Sequence, residues 1–193
     1  VGVSGGKDSL TLLYLLAQVR EYYPKRFALE ALSIDMGLGG MDFSPVAALC
    51  ERLGVPYYCK KTQIGTIIFE HRKEKNPCSM CAKMRRGALN DLIVERGFNK
   101  IALGHHYDDV IETILMGMLW GAQVQTMMPK LHSTNFEGME LIRPLYLVRE
   151  DDIKAWRDAN HLHFIQCACK FTDTCSSCDK DGQSNSKRLE VKK

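Results

Sequence analysis

Val1-Gly2-Val3-Ser4-Gly5-Gly6-Lys7-Asp8-Ser9 opens the chain with a short apolar run, a serine-glycine-glycine turn and the start of an apolar helical pattern. Two adjacent glycines let the backbone approach a ligand closely, because no Cβ stands in the way. A helix that begins directly after such a turn points its free N–H groups and the positive end of its dipole at the same place. The stretch therefore predicts a phosphate-binding loop, with Lys7 as the cation and Ser4 and Ser9 as hydroxyl donors.

The spacing of this loop excludes two common nucleotide-binding motifs. The P-loop reads Gly-x-x-x-x-Gly-Lys-Ser/Thr and the dinucleotide motif reads Gly-x-Gly-x-x-Gly, and the opening stretch matches neither. A plain turn between a strand and a helix would explain Gly5 and Gly6, but it would not explain Lys7 and the hydroxyl side chains around it. We therefore interpret residues 4–9 as a ligand-binding loop of another kind.

The composition is that of a globular protein. The chain has 193 residues, of which 45% are apolar and 25% charged, and a net charge of +3 that permits an RNA partner without establishing one. It shows no signal-peptide pattern and no apolar stretch of about 20 residues, so no membrane contact is expected. There are eight cysteines, most of them in closely spaced pairs, and this pattern favours metal binding in a reducing cytoplasm over disulfides. Because Val1 stands inside a predicted strand, residues before it are expected to be missing.

Strand and helix patterns alternate from the loop onwards. This alternation predicts an α/β fold with a doubly wound, mainly parallel sheet and helices on both faces. Residues 1–170 are expected to form one domain that carries the ligand-binding loop, and residues 171–193 a cysteine-containing basic tail that only metal or a partner orders. Asp35 ends a predicted strand, where such sheets collect their ligands, although a turn aspartate is an equal alternative.

A second cluster follows a later strand, at Gly104-His105-His106-Tyr107-Asp108-Asp109 and Glu112. Three carboxylates at this spacing can share one helix face and hold a divalent cation. Acidic residues also stabilise the positive end of a helix dipole, which is the alternative interpretation. The aspartates are favoured over the histidines as functional groups, and the cluster is expected to converge with the loop at one edge of the sheet.

Most of the cysteines form closely spaced pairs, at Cys78/Cys81, Cys167/Cys169 and Cys175/Cys178. The first pair is expected at a helix N-terminus, which favours thiolates. The long separation between the first pair and the others implies a metal site assembled by the fold. An iron–sulfur cluster, a four-cysteine zinc site, a redox dithiol and two separate sites all remain open. Cys50 and Cys59 are expected to be core thiols.

Four motifs together resemble the tRNA 2-thiocytidine synthetase (TtcA) family of PP-loop ATP pyrophosphatases, which is related to the iron–sulfur tRNA 2-thiouridine synthetases (TtuA group). The resemblance spans about residues 1–170. The motifs are Ser4-Gly5-Gly6-Lys7-Asp8-Ser9, Pro77-Cys78-Ser79-Met80-Cys81 followed by Arg85-Arg86-Gly87, Gly104-His105-His106-Tyr107-Asp108-Asp109 with Glu112-Thr113, and Arg143-Pro144-Leu145.

The resemblance implies an ATP-dependent tRNA sulfurtransferase that forms AMP and pyrophosphate. Such an enzyme adenylates the C2 oxygen of a tRNA pyrimidine, here expected to be a cytidine of the anticodon loop, and replaces it with sulfur. A [4Fe-4S] cluster held by three cysteines delivers the sulfur. The implied ligands are Cys78, Cys81 and Cys167, with Cys169 as the alternative third ligand. The implied partners are tRNA and a cysteine desulfurase or other sulfur carrier, and a homodimer stays open.

The resemblance also implies roles for individual residues. Lys7 would bind the phosphates of ATP, Arg85 would stabilise charge on the adenylated base, and Asp8, Asp35 or Asp109 would hold Mg²⁺. The residues to which the resemblance assigns a catalytic role are Lys7, Arg85 and Asp109. The implied nucleotide contacts are Ser4, Gly5, Gly6, Lys7, Asp8, Ser9, Ile34, Asp35, Met36 and Gly104.

Two other functions fit the same residues. The target can be a uridine, as in the tRNA 2-thiouridine synthetases. The chain can also be a zinc-stabilised or redox-sensing nucleotide-binding protein without thiolation activity. An amine nucleophile, as in lysidine synthetase, is disfavoured because it would leave the paired cysteines without a role.

Overall fold

The computed structural model describes residues 1–37, 42–68, 77–134, 136–160 and 191, and the side chains of residues 77–79 are not described. The helices are α1 (Lys7–Tyr22), α2 (Ser44–Arg52), α3 (Ile64–Thr66), α4 (Pro77–Glu95), α5 (Tyr107–Gly121) and α6 (Glu150–Ala159). The strands are β1 (Ala31–Asp35), β2 (Tyr57–Lys61), β3 (Lys100–Ala102), β4 (Lys130–His132) and β5 (Glu140–Ile142). None of the described helices is long and apolar enough to cross a membrane.

The strands form two hydrogen-bonded groups that the first residues of the chain connect. β1 pairs in parallel with β2, and β5 lies between β3, to which it is parallel, and β4, to which it is antiparallel. Gly2 forms a parallel bridge with Leu32 of β1 and donates its N–H to the carbonyl of Ala102 in β3 at 3.0 Å. Residues 1–3 therefore occupy the centre of the sheet, between β1 and β3.

Helices cover both faces of this sheet, as the strand–helix alternation predicted. Along β1, Ala31 packs into a core with α1 and α2, whereas its neighbour Leu32 packs into a core with α3 and α4. The alternation follows from the strand, since successive side chains point to opposite faces. α6 packs beside α1, where the rings of Tyr14 and Trp156 lie 5.1 Å apart. The α/β fold with helices on both faces is confirmed.

Several elements differ from what the sequence pattern predicts. The β-rich run over 27–34 predicts a strand, but β1 begins at Ala31, and the apolar run over 55–59 predicts a strand that lies two residues later, at Tyr57–Lys61. The helical pattern over 61–75 predicts a helix, of which the described residues include only the short α3. β4 was not predicted, because all three of its residues are exposed and carry no alternating apolar pattern.

Glu140 of β5 forms ion pairs that link the three strands of the second group. Its carboxylate pairs with Lys100 of β3 and with Lys130 of β4, the latter at 2.6 Å. The hydrogen bonds from Lys100 and then Lys130 lower the pKa of Glu140 to about 2. A carboxylate with a lowered pKa stabilises the fold above its unfolded pKa of 4.5, and the contribution is lost as the pH falls through the folded value.

Glu140→Gln is therefore expected to flatten the pH dependence of stability between pH 4.5 and about 2 and to lower stability at neutral pH. Urea unfolding followed by circular dichroism across this range measures the effect. Glu137→Gln is the matched control, because Glu137 is exposed and has no ion pair within the described part of the chain. If the stability of wild type and of Glu140→Gln changed equally with pH, the ion pairs of Glu140 would contribute nothing to the free energy of unfolding.

Candidate active site

The conformation of the loop between residues 1–3 and α1 is fixed by hydrogen bonds within the loop. Gly5 has a φ of 86°, a left-handed conformation that favours glycine. The Ser9 hydroxyl donates to the carbonyl of Gly6 at 2.9 Å and accepts from the N–H of Ser4 at 3.3 Å. These bonds link the turn to the first turn of α1, which begins at Lys7. The free N–H groups at the start of that helix are suited to an anion.

Gly104 brings the end of β3 against this loop. A Cβ placed on Gly104 would lie 2.8 Å from the carbonyl carbon of Asp8 and 2.9 Å from the N–H nitrogen of Ser9. Only glycine permits so close a backbone approach without displacing one of the two segments. The expected convergence of the glycine loop with the cluster that starts at Gly104 is therefore present in the structure.

Lys7 is paired with two carboxylates in this structure. Its Nζ lies 2.8 Å from Asp8 Oδ1 and 2.9 Å from Glu150 Oε1. Burial acts to lower the pKa of Lys7, but the hydrogen bonds to Asp8 and Glu150 outweigh it, so that the pKa is raised. Lys7 is thus a stable cation at neutral pH, positioned beside the loop.

Glu150 is a site residue that the sequence did not indicate. It begins α6, forty-two residues after Asp108, and its N–H donates to Asp108 Oδ2 at 2.7 Å. The contact joins the start of α6 to the start of α5, and Tyr107 strengthens the junction by donating its N–H to the carbonyl of Val148 at 2.9 Å. Because Asp151 and Asp152 follow it, the sequence does not distinguish Glu150 from an ordinary acidic residue in the first turn of a helix.

His106 forms the floor of the site and is 3% exposed. Its Nε2 lies 3.7 Å from Asp8 Oδ1 and 3.5 Å from Asp109 Oδ2, and its Nδ1 lies 3.6 Å from Asp108 Oδ2. These separations exceed good hydrogen-bond lengths. His106 is thus a buried histidine whose ring lies among three carboxylates close to the loop.

The carboxylates of α5 do not form the three-residue cation site that their spacing suggested. Asp108 accepts the N–H of Glu150, and Asp109 Oδ2 accepts the N–H of His106 at 3.1 Å, while Glu112 is 5% exposed. In the described part of the chain no group of three histidine, cysteine or acidic side chains is arranged to hold a metal ion. Asp108 and Asp109 are instead engaged by the N–H groups of two different segments, the start of α6 and the residue before α5.

Asp35 ends β1 and acts in this structure as a turn aspartate. Its Oδ1 accepts the N–H of Gly37 at 2.9 Å, and its carbonyl accepts from both the N–H and the hydroxyl of Thr62. The side chains of Ile34 and Met36 are buried, at 7% and 4% exposure. The carbonyl of Met36 accepts the N–H of Gly65 at 2.8 Å, which ties the end of β1 to the start of α3.

α4 runs antiparallel to β1 and places its first turns at the same edge as the loop. Arg96, just after α4, pairs with Glu30, just before β1. At the other end, the Cys81 thiol donates to Met36 Sδ at 3.2 Å, just after β1. Because β1 and residues 1–3 are parallel, their carboxyl ends share one edge. Cys81 and the glycine loop therefore lie at the same edge of the sheet.

Arg85 is exposed on α4, one turn after Cys81. The side chain of Cys78 and the whole of Cys167, Cys169, Cys175 and Cys178 lie outside the described residues. Cys50 is a core thiol as expected, and burial raises its pKa to about 11. Burial also raises the pKa of Cys59, which is half-buried on β2.

A glycine loop, a helix N-terminus and a lysine at the carboxyl edge of a parallel sheet define an α/β protein that binds phosphate groups. The family model of the PP-loop domain matches residues 1–171. The chain belongs to the PP-loop domain family.

Two curated relatives and one solved structure resemble the chain. It is 38% identical over 194 residues to a tRNA-cytidine(32) 2-sulfurtransferase of Anaeromyxobacter dehalogenans, in a match that covers 100% of this chain and 63% of the relative. It is 35% identical over 193 residues to a protein of the same name from Citrifermentans bemidjiense, covering 99% of this chain and 74% of the relative. The chain thus spans less than two thirds of the first relative's length.

The U34-tRNA thiolase NcsA from Methanococcus maripaludis, solved with its [4Fe-4S] cluster, has a similar structure. The TM-score is 0.72 at 25% identity, and the match covers 99% of this chain and 65% of that chain. Together with the sequence relatives, this match confirms the resemblance to the tRNA 2-thiocytidine synthetase family.

Proposed function

We propose that the chain is the catalytic part of a cytoplasmic, ATP-dependent tRNA sulfurtransferase that thiolates C2 of a cytidine. One observation carries the proposal: the glycine loop, the start of α5 and the first turns of α4 with Cys81 lie at one edge of the sheet. Activation of a base by ATP and delivery of sulfur to that base require both sites to reach the same atom. The names of the curated relatives support the same reaction.

ATP is proposed to bind with its phosphates over the loop. The N–H groups at the start of α1 and the ammonium of Lys7 would face the phosphates, and Lys7 would exchange part of its contact with Asp8 and Glu150 for phosphate oxygens. The backbone of Ile34 and Met36 and the carboxylate of Asp35 are proposed to contact the nucleoside.

The carboxylates of Asp8 and Asp109 fit a magnesium ion bound together with phosphate. Both lie beside the same ring nitrogen of His106, close to the loop. Magnesium in phosphate-transfer sites takes one or two carboxylates and completes its shell with phosphate oxygens and water, so a pair is sufficient. Bound there, the ion would neutralise charge on the departing pyrophosphate.

The reaction follows from the poor leaving ability of the C2 oxygen. That oxygen would attack the α-phosphorus of ATP, and the bond from the phosphorus to pyrophosphate would break. Sulfide would then add at C2, and the oxygen would leave with AMP, so that no electron is gained or lost overall. Arg85, exposed at the same edge, is proposed to stabilise the anionic charge of the adenylated base.

Cys81 fits a role as a cluster ligand, since its thiol lies at the reacting edge and its helical position is three residues from position 78. Cys78, Cys81 and Cys167 are proposed to hold a [4Fe-4S] cluster, which would supply the sulfur as sulfide. Residues 171–193 are proposed to form a separate cysteine-containing tail.

The proposed partners are tRNA and a cysteine desulfurase or other sulfur carrier. A homodimer is also proposed, because α5 exposes an uncharged stripe that a second copy can match by twofold symmetry. The stripe consists of Tyr107, Ile111, Leu115, Met118 and Leu119.

The proposal is tested by mass analysis of tRNA nucleosides from cells that lack the protein. Loss of one 2-thiocytidine, restored by the wild-type gene, is the expected result. Loss of a 2-thiouridine instead would favour the alternative target, for which the structural match to NcsA is the supporting observation. An unchanged nucleoside profile would contradict tRNA thiolation altogether.

Asp109→Asn is expected to lower tRNA-dependent AMP release by at least about a hundredfold while leaving iron content unchanged, because the charge that holds magnesium is lost. The Asn amide oxygen can still accept the N–H of His106, so stability should change little. Asp108→Asn is the matched control, because Asp108 caps α6 through the same kind of bond. Equal AMP release by wild type and Asp109→Asn would refute the role.

A further inference from the structure

Glu150 contacts the lysine of the glycine loop from a different helix. Its Oε1 lies 2.9 Å from Lys7 Nζ, and Asp8 Oδ1 lies 2.8 Å from the same nitrogen. The side chains of Glu150, Lys7 and Asp8 are 18%, 23% and 31% exposed, so protein surrounds most of this ion-pair network. Charges that are partly shielded from water interact more strongly than charges on an open surface. One ammonium group is therefore shared by two carboxylates.

The fold fixes the position of Glu150 beside the loop. Its N–H donates to Asp108 Oδ2 at 2.7 Å, and α6, which begins at Glu150, packs beside α1. The second carboxylate oxygen, Oε2, lies 3.6 Å from the Nζ of Lys154, one turn later on α6. Glu150 thus lies between two lysines, and its contact with Lys7 follows from the packing of the two helices.

This arrangement opposes the binding of a phosphate group that carries no metal. A phosphate oxygen that approaches Lys7 has to replace a carboxylate oxygen, and it meets the negative charge of Glu150 and Asp8 as it does so. Magnesium bound to a nucleotide offsets part of the charge of the triphosphate, and a carboxylate such as Asp8 can complete its shell. The negative charge around Lys7 therefore disfavours the metal-free nucleotide more than the magnesium complex.

We propose that Glu150 is a specificity-determining residue: by competing with phosphate for Lys7, it makes the site favour the magnesium complex of ATP over metal-free ATP. The inference rests on the proposed function, since it takes the glycine loop to be the ATP site. Selectivity is a difference between two affinities, so a residue that repels the wrong ligand contributes to it as much as one that attracts the right ligand. When the nucleotide binds, Lys7 turns to the phosphates and Glu150 keeps its contact with Lys154.

The test compares Glu150→Gln with wild type in calorimetric titrations of the whole chain with ATP, once in excess magnesium and once without divalent metal. Glutamine keeps the length of the side chain, its amide oxygen can still accept from Lys7, and the N–H bond to Asp108 is retained. Metal-free ATP is expected to bind about tenfold more tightly to the variant, while the affinity for the magnesium complex changes by about twofold or less. A purely structural role of Glu150 would weaken the binding of both forms.

Asp151→Asn is the matched control, because it removes the same charge one residue later, from a side chain that is 92% exposed and pairs with Lys154 at 3.2 Å. It should leave both affinities unchanged. Glu150→Asp keeps the charge but shortens the reach to Lys7, so it should show a smaller gain in the same direction, and it decides the question if Glu150→Gln does not fold.

Three results would overturn the selectivity. They are equal affinity of wild type and both Glu150 variants for metal-free ATP, weaker binding of both forms of ATP by folded variants, and the same gain in Asp151→Asn as in Glu150→Gln. Urea unfolding establishes that each variant is folded. A wild-type chain that binds ATP in neither condition would instead refute the ATP site on which the proposed function depends.

Discussion

Cys81→Ser is expected to abolish tRNA thiolation and to leave ATP binding unchanged. The thiol lies at the carboxyl end of β1, where it donates to the Met36 thioether, and a serine hydroxyl is a slightly smaller group of similar shape. A serine hydroxyl is a poor iron ligand at neutral pH, because the thiolate form that binds metal is absent. The anaerobically purified variant should be colourless and poor in iron, whereas wild type should be brown.

The informative control is Cys59→Ser, which removes a thiol from β2. Burial raises the pKa of this thiol, and Cys59 is not a proposed ligand. It should retain colour, iron and thiolation. Measurement combines iron and sulfide content, ATP affinity and mass analysis of the tRNA product. A Cys81→Ser protein that contains zinc or no metal and still thiolates at the wild-type rate would rule out a cluster at this position.

Gly104→Ala is expected to produce the largest effect on the nucleotide site. The added Cβ would lie 2.8 to 2.9 Å from backbone atoms of Asp8 and Ser9, and backbone cannot rotate away as a flexible side chain can. The strain should cost about 1–3 kcal/mol of stability. The loop should shift, and ATP affinity should fall about tenfold or more, since phosphate binding depends on its exact backbone geometry.

Gly87→Ala provides the contrast, because Gly87 lies within α4 and an added Cβ there meets nothing within 4 Å. In a helix this change should stabilise the protein by about 0.5–1 kcal/mol and leave ATP affinity unchanged. Urea unfolding and calorimetric titration with ATP measure both quantities. If Gly104→Ala bound ATP as tightly as wild type, the close contact between β3 and the loop would have no role in nucleotide binding.

The sequence predicted those parts of the fold that depend on local pattern. The apolar face of α1, the glycine turn before it and the strand ending at Asp35 are all set by residues within one element, and the structure contains them. The convergence of Gly104 with the loop was also predictable, because ligand loops gather at the carboxyl ends of parallel strands.

Features that depend on contacts between distant segments were not predictable. β4 is exposed and pairs antiparallel with β5, and the ion pair of Lys130 with Glu140 reinforces this pairing, which no short-range pattern reveals. Glu150 reaches Lys7 only because α6 packs on α1. Asp108 and Asp109 accept N–H groups from different segments, a division that depends on how α6 packs and not on local spacing.

The central claim is that ATP activation and sulfur delivery act on one base at one edge of the sheet. The most direct test is an anaerobic reaction of iron-loaded protein with unmodified tRNA, ATP and sulfide, in which AMP and thiolated nucleoside are counted together. Equal amounts of AMP and 2-thiocytidine, with neither formed when tRNA is absent, are predicted. Sulfur incorporation without ATP, or AMP release without any thiolated nucleoside, would contradict the account.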